Sequence, residues 1–324
     1  MLLENLLKKL IFKMNILITG SSGFVGSYLC EYFTTMPEHS VLAQTRKNTQ
    51  KLSNDIKTIT FDINDDLTSL DLSSVDVIVH CAGRAHIMKE VESDPLSIYR
   101  KVNVEGTLNL AKKAAKAGVK RFIFMSSIKV NGEVSDQVPF TPHDNIINIK
   151  DPYGLSKYEA EQSLLNLAQN SMMEVVIIRP ALIYGPNVKA NFKSMINLAA
   201  KGIPLPVGCL DNKRSMVSIY NLSDFINICL SHPLAKNQVF LISDQDDITV
   251  KELFMKLAKV QGRNLIAVPI PKVLINFLAK LLNKSTVASR LCSVLIVDTS
   301  KNIELLGWRA PFSFDESLKL MFKK

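Results

Sequence analysis

Asn15-Ile16-Leu17-Ile18-Thr19 runs without a break into Gly20-Ser21-Ser22-Gly23-Phe24-Val25-Gly26, an apolar β-branched stretch followed by three glycines at intervals of three. A buried strand that enters a glycine-rich turn and opens a helix is the context in which such a pattern means dinucleotide binding. Each glycine has its own task. The first permits the tight turn, the second lets backbone N–H groups approach a pyrophosphate, and the third lets the helix pack closely on the strand. Gly20, Ser22, Gly23, Phe24, Val25 and Gly26 are therefore expected to hold a cofactor.

Outward from this stretch, short β-branched runs alternate with helical ones. Strands are expected at Asn15–Thr19, Ser40–Gln44, Lys57–Asp62, Val75–His80, Arg121–Ser126 and Glu174–Arg179, and the clearest helices at Gly23–Phe33 and Val104–Ala117, the second closed by Gly118. Such alternation predicts an α/β chain with a Rossmann doubly wound parallel sheet. After Pro180 the rhythm breaks into loops and shorter elements, then returns to a strand-like Gln238–Ile242. The expected organisation is a 1–13 extension, a dinucleotide-binding domain over 14–182 with a returning segment at about 213–242, and a smaller C-terminal substrate-binding part over 183–212 and 243–324. No internal repeat or low-complexity segment is present.

The 324 residues carry 39 Lys and Arg against 30 Asp and Glu, a formal charge of +9. The basic residues are scattered with no long run, so the surplus suits anionic small molecules and excludes a nucleic-acid footprint. Five cysteines without a CxxC pair imply neither a disulfide framework nor a zinc site, and fit a reducing, cytoplasmic compartment. Residues 1–13 form a poor signal peptide; they read equally as a short amphipathic helix or as upstream sequence before a natural start at Met14. No apolar run reaches membrane-span length. The stretch Leu265–Val297 is apolar but interrupted by Pro269, Pro271 and four basic residues, and reads as buried helices with room for a peripheral face.

The turn after the second strand bears on cofactor choice. An acidic residue there would bind a ribose 2′-hydroxyl and select NAD, whereas an arginine accommodates a 2′-phosphate. Gln44-Thr45-Arg46-Lys47 offers no carboxylate. NADP(H) is the expectation, with Arg46 on adenine or phosphate; NAD and a merely solvated Arg46 stay open.

In Asp151-Pro152-Tyr153-Gly154-Leu155-Ser156-Lys157, Tyr153 and Lys157 stand four apart and share a helical face, so an ammonium sits near a phenol. A nearby cation favours the phenolate and fits Tyr153 to take or return a proton as hydride moves.

The GxxGxxG spacing with a downstream YxxxK resembles the extended short-chain dehydrogenase/reductases, in particular the NAD-dependent epimerase/dehydratase family. The resemblance runs from residue 14 to about 310. It implies that Asp62 and Ile63 hold adenine, that Ala82 and Gly83 in His80-Cys81-Ala82-Gly83 face the cofactor, and that Asn103 faces the dinucleotide. Tyr153 and Lys157 are then both catalytic and cofactor-binding, the lysine contacting the nicotinamide ribose as well as tuning the tyrosine. In Ser126-Ser127-Ile128-Lys129, Ser127 is the implied third catalytic residue, with Ser126 beside the substrate. Family dehydratases carry an Asp-Glu pair where this chain has Ile128-Lys129, which speaks against dehydration. Arg179-Pro180-Ala181-Leu182-Ile183-Tyr184-Gly185-Pro186 resembles the RPxxxYGP of nucleotide-sugar epimerases and reductases. Asn191, Arg214 and Arg290, together with Arg84 in the CAGRAH stretch, are the implied contacts to sugar and diphosphate.

The implied activity is hydride movement at C4 of a UDP-hexose, as in the 4-epimerases and 4-keto reductases of bacterial polysaccharide clusters. A 4-keto-6-deoxy-sugar reductase is placed first and a UDP-glucose or UDP-N-acetylglucosamine 4-epimerase second. A dinucleotide-sensing protein without chemistry is the third reading, against which the intact Ser127, Tyr153 and Lys157 stand. The histidines lack metal-ligand spacing, His80 reads as a satisfied core residue, no metal is expected, and a homodimer is left open.

Overall fold

The computed structural model describes residues 13–46, 56–84, 94–135, 138–144, 146, 149–281 and 285–323. They fall into two compact units, one within 1–126, 150–178 and 229–238, the other within 127–149, 179–228 and 239–324. The segment 127–149, expected with the dinucleotide-binding part, thus groups with the second unit.

The first unit carries six strands: β1 (Met14–Thr19), β2 (His39–Thr45), β3 (Lys57–Thr60), β4 (Val77–His80), β5 (Arg121–Met125) and β6 (Glu174–Pro180). They run parallel in the order β6-β5-β4-β1-β2-β3. The order reverses direction beside β1, the switch point outside which doubly wound sheets bind ligands. Burial on both faces explains the largely apolar strands: Ile16, Leu17 and Ile18 are fully buried, and every residue of β4 and β5 is buried.

Four helices flank these strands: α1 (Phe24–Thr34), α2 (Pro95–Arg100), α3 (Thr107–Lys116) and α4 (Pro152–Gln169). Helix α3 buries Leu110, Ala111 and Ala114 and ends before Gly118, which takes φ +83° as a left-handed terminator. It starts later than the sequence suggests. Lys101–Gly106 forms a π-helical turn between α2 and α3, so one continuous helical ridge changes hydrogen-bond register midway.

The second unit holds β7 (Leu182–Tyr184), α5 (Ala190–Ala200), β8 (Lys213–Arg214), β9 (Met216–Ser218), α6 (Ile219–Ser231), β10 (Gln238–Ile242) and β11 (Ile248–Thr249). After these come α7 (Val250–Val260), α8 (Lys272–Leu281), α9 (Ser285–Cys292), α10 (Ser300–Leu306) and α11 (Phe314–Phe322). Both α6 and β10 straddle the unit boundaries. Its strands pair in twos, β7 with β9 and β8 with β11. The apolar Leu265–Val297 divides: Ala288, Leu295 and Val297 are buried, whereas α8 has no buried residue and forms the peripheral face for which the sequence left room. Among the described residues, no helix is long and apolar enough to cross a membrane.

Candidate active site

The glycine turn has the shape its residues require. Gly20 takes φ +66°, and a Cβ there would lie 2.7 Å from the backbone nitrogen of Ala82, so this glycine both turns the chain and admits the end of β4. A Cβ on Gly26 would lie 2.3 Å from the Gly20 carbonyl oxygen, which fixes the close packing of α1 on the turn. Gly23 begins α1 in extended geometry, its N–H donating to the Gly20 carbonyl at 2.9 Å. It supplies no side-chain cap, and the first turn of α1 holds no acidic residue. The N-terminal amides near Phe24 and Val25 are left for an external acceptor, with Ser22 and Gly23 exposed at the entrance. These residues fit a dinucleotide pyrophosphate.

Gln44, which sequence reasoning considered only as not acidic, holds this turn in place. Its Oε1 accepts from Gly20 N–H at 2.9 Å, its Nε2 donates to the Phe61 carbonyl at 2.6 Å, and its own carbonyl accepts from the Ser21 hydroxyl at 2.5 Å. Arg46 is exposed just beyond β2. Lys47 lies outside the described residues. Asp62 accepts on one oxygen from the backbone and side-chain nitrogens of Asn64, at 2.9 and 2.7 Å. Ile63 is buried against Gly106 of the π turn.

Beyond β4, Cys81-Ala82-Gly83-Arg84 is held by Asn103. The Asn103 carbonyl oxygen accepts from Arg84 N–H at 2.8 Å, while its amide donates to the Arg84 carbonyl at 3.2 Å and to the Ser156 hydroxyl at 3.0 Å. Asn103 is wholly buried and acts by shaping this turn. A Cβ on Gly83 would stand 3.0 Å from Asn103 Oδ1 and 3.4 Å from Lys157 Nζ, so the turn, the π helix and helix α4 converge on one small exposed residue.

Helix α4 starts at Asp151, whose carboxylate accepts from Gly154 N–H at 2.8 Å, with Pro152 in the first turn. That cap fixes Tyr153 in the first turn, where its ring meets Tyr99 edge-on at 5.9 Å. The Arg84 guanidinium lies 5.9 Å from the Tyr99 ring centroid. One turn further on, Lys157 is buried, its Nζ donating to the Met125 carbonyl at 2.8 Å and lying 4.5 Å from the Phe124 ring centroid. Burial lowers its pKa to about 8, against the opposing pull of Cys81 and Glu161. Glu161, four residues beyond Lys157, is fully buried and accepts from the Ser126 hydroxyl. Ser126 thus braces the base of α4. The equal spacing of Tyr153, Lys157 and Glu161 was a signal in the sequence that could have revealed this third member.

His80 is the satisfied core residue expected. Its two ring nitrogens meet the hydroxyls of Thr19 at 2.8 Å and Thr107 at 2.9 Å, and burial lowers its pKa to about 3, so it stays neutral. No group of three His, Cys, Asp or Glu suited to a metal occurs among the described residues.

Within the second unit, Ser127 caps the short 3₁₀ turn Ile128–Val130, its hydroxyl accepting from Lys129 N–H at 3.2 Å. Arg179 is buried and donates to Asn131 at 3.0 Å. Tyr184 of the YGP stretch donates to Asp244 at 2.6 Å, and Asp244 also accepts from Ser218 N–H and the Asn221 amide. Burial raises the Asp244 carboxyl to about 6. Arg214 donates to the Ser293 carbonyl and hydroxyl, both at 3.3 Å. Asn191 stands at the start of α5 and Arg290 within α9; their side chains lie outside the described part.

Comparison with known proteins agrees with this construction. The profile of the NAD dependent epimerase/dehydratase family matches residues 16–243. A UDP-glucose 4-epimerase of Vibrio cholerae is 46% identical over 311 residues, covering 94% of this chain and 93% of that protein. An N-acetyl-α-D-glucosaminyl-diphospho-ditrans,octacis-undecaprenol 4-epimerase of Escherichia coli O157:H7 is 28% identical, again over 94% and 93% of the two chains. Among solved structures, UDP-glucose 4-epimerase of Thermotoga maritima with UDP-glucose superposes with a TM-score of 0.75 at 24% identity, covering 96% of this chain and 98% of that one. The Bordetella bronchiseptica enzyme WbmG in complex with NAD gives a TM-score of 0.71 at 22% identity, covering 95% and 92%. With an open glycine turn, a buried lysine one helical turn below a tyrosine, and these likenesses, the chain belongs to the NAD-dependent epimerase/dehydratase family.

Proposed function

We propose that this protein is a 4-epimerase of UDP-hexoses, acting on UDP-glucose, UDP-N-acetylglucosamine or their C4 epimers. The observation that carries the reading is the α4 constellation, Tyr153 above a buried Lys157 that abuts Gly83. The two curated relatives named above are both 4-epimerases of glucosyl or N-acetylglucosaminyl diphosphates by name, which favours epimerase over the 4-keto reductase placed first from sequence.

Bound nicotinamide supplies a reversible hydride acceptor for C4. Tyr153 takes the C4 hydroxyl proton in the oxidising half and returns a proton to the carbonyl oxygen in the reducing half, so no net redox change results. Lys157 in its ammonium form favours the Tyr153 phenolate. Ser127, on the family resemblance, donates a hydrogen bond to the same substrate oxygen. Arg214 and Arg290 neutralise the diphosphate and Asn191 and Arg84 contact the sugar side, with Asp62 and Ile63 toward adenine.

The deciding experiment incubates the as-purified protein with UDP-glucose and UDP-N-acetylglucosamine without added cofactor and follows C4 inversion by NMR. Inversion without cofactor consumption is expected. Stoichiometric consumption of NADPH on a 4-keto UDP-sugar, without inversion of the 4-hydroxy sugars, would return the protein to the reductases.

For the cofactor, the absence of a carboxylate after β2 and the exposed Arg46 support acceptance of a 2′-phosphate, so NADP joins NAD as a ligand. If Arg46 meets that phosphate, Arg46→Ala weakens NADPH by several-fold to about tenfold and leaves NADH nearly unchanged. Equal losses for the two in a fluorescence titration would remove Arg46 from that role.

A further inference from the structure

Helix α8 is amphipathic in the wrong direction for a core element. Val273 is 81% exposed, Leu281 66% and Phe277 59%, with Leu274 at 46% and Leu278 at 44%. At the helical repeat these five side chains fall within about 140° of arc, one continuous apolar face turned to solvent. Lys280 is exposed at the border of that face, whereas Lys272, about 100° beyond the same border, stands on the opposite side of the helix. The wider sequence carries one sign of charge. From Leu253 to Val297 there is no Asp or Glu, while seven Lys or Arg occur, of which Lys256 is paired with Asp315.

We infer that α8 docks this protein on an anionic phospholipid surface. Its ten residues span about 15 Å, too short to cross a bilayer but suited to lying in the headgroup region with Phe277 and its neighbours among the acyl chains. Lys280 meets lipid phosphates. Charge decides against a second copy of the same face. A twofold contact would bring two copies of a helix that holds no carboxylate together, each with Lys280 at the edge of its apolar face, whereas lipid phosphates complement that charge. The inference stands apart from the epimerase reading, since vesicle binding is measured without any sugar.

The test is co-sedimentation of the full chain with vesicles of equal parts phosphatidylglycerol and phosphatidylcholine, against phosphatidylcholine alone. The wild type is expected to partition onto the anionic vesicles and to be released as salt is raised. Phe277→Ser with Leu278→Ser lowers the partition coefficient at least about tenfold by removing buried apolar area. Lys280→Gln lowers it roughly fivefold. Because α8 buries no side chain, both variants keep the wild-type melting curve and cofactor binding. Absence of wild-type partition, or undiminished binding by the serine variant, overturns the proposal. Light scattering that shows a wild-type dimer dissociating in the serine variant assigns the face to a second copy instead, which also overturns it.

Discussion

Two helices of the first unit begin in opposite ways. Helix α4 satisfies its own first turn, with Asp151 accepting from Gly154 N–H at 2.8 Å, whereas α1 begins at Gly23 with neither a side-chain cap nor an acidic residue. Every helix N-terminus presents unpaired N–H groups and a partial positive charge. At α4 the chain answers that demand itself, and the helix becomes a rigid mount for Tyr153 and Lys157. At α1 it is left open, and the helix end suits an anionic ligand. On the proposed function, one end positions chemistry and the other binds.

The largest effect falls on the mounted group. Tyr153→Phe keeps the ring and its contact with Tyr99 but removes the transferable proton, so turnover drops about a hundredfold to ten-thousandfold while dinucleotide titration stays near wild type. Undiminished single-turnover hydride transfer would show that the proton donor is misassigned. At the open end, Gly23→Asp installs the cap that α4 has. The backbone there is extended and the nearest atom to an added Cβ is the Gly20 carbonyl oxygen at 3.1 Å, so the variant folds with at most a slight local adjustment. A carboxylate then occupies the place of the pyrophosphate, and dinucleotide affinity falls about tenfold or more. Wild-type affinity in that variant would mean α1 is not the anion site.

Lys157 makes the mounted end sensitive to pH. Its pKa is lowered to about 8 by burial, so the ammonium is present below that pH and is lost above it. Turnover is expected to fall above pH 8, by about tenfold per unit once the lysine is neutral. A rate that keeps rising to pH 10 would detach catalysis from the lysine's charge.

The strand–turn–helix that opens the first unit was legible because its requirements are local: a both-sides-buried strand must be apolar, and Gly20 at φ +66° tolerates little else. Strand ends moved by one or two residues, by two at β3 and β4. What stayed hidden depends on distant partners. Gln44 matters through bonds to Gly20 and Phe61, 24 and 17 residues away, and no pattern in its own neighbourhood announces them. The π turn at Lys101–Gly106 lies in what reads as uninterrupted helix, yet it carries the buried Asn103 that fixes Arg84. Glu161 was visible as spacing alone. The exposure of helix α8 was legible only as room for a peripheral face, because periodicity cannot tell a core-facing stripe from a solvent-facing one. The roles of Ser127, Asn191, Arg214 and Arg290 came from resemblance only, since nothing in their local sequence specifies a ligand.

The smallest expected effect is also the sharpest test of the comparison, because it removes the feature by which α4 differs from α1. Asp151→Ala leaves Gly154 N–H without its side-chain acceptor and costs about 1 kcal/mol of stability, the usual loss for an N-cap. Were the cap only a stability device, turnover per folded molecule would not change. As a mount it also restricts the first turn of α4, where Tyr153 stands, so turnover should fall a few-fold with dinucleotide affinity intact, since Lys157 is held separately by Met125. Asp151→Asn or Asp151→Ser, which restore a cap acceptor, should recover both stability and rate. A rate that follows the negative charge of residue 151 instead of its capping ability would show that Asp151 acts on the chemistry electrostatically, and the two helix ends would then differ in charge more than in rigidity.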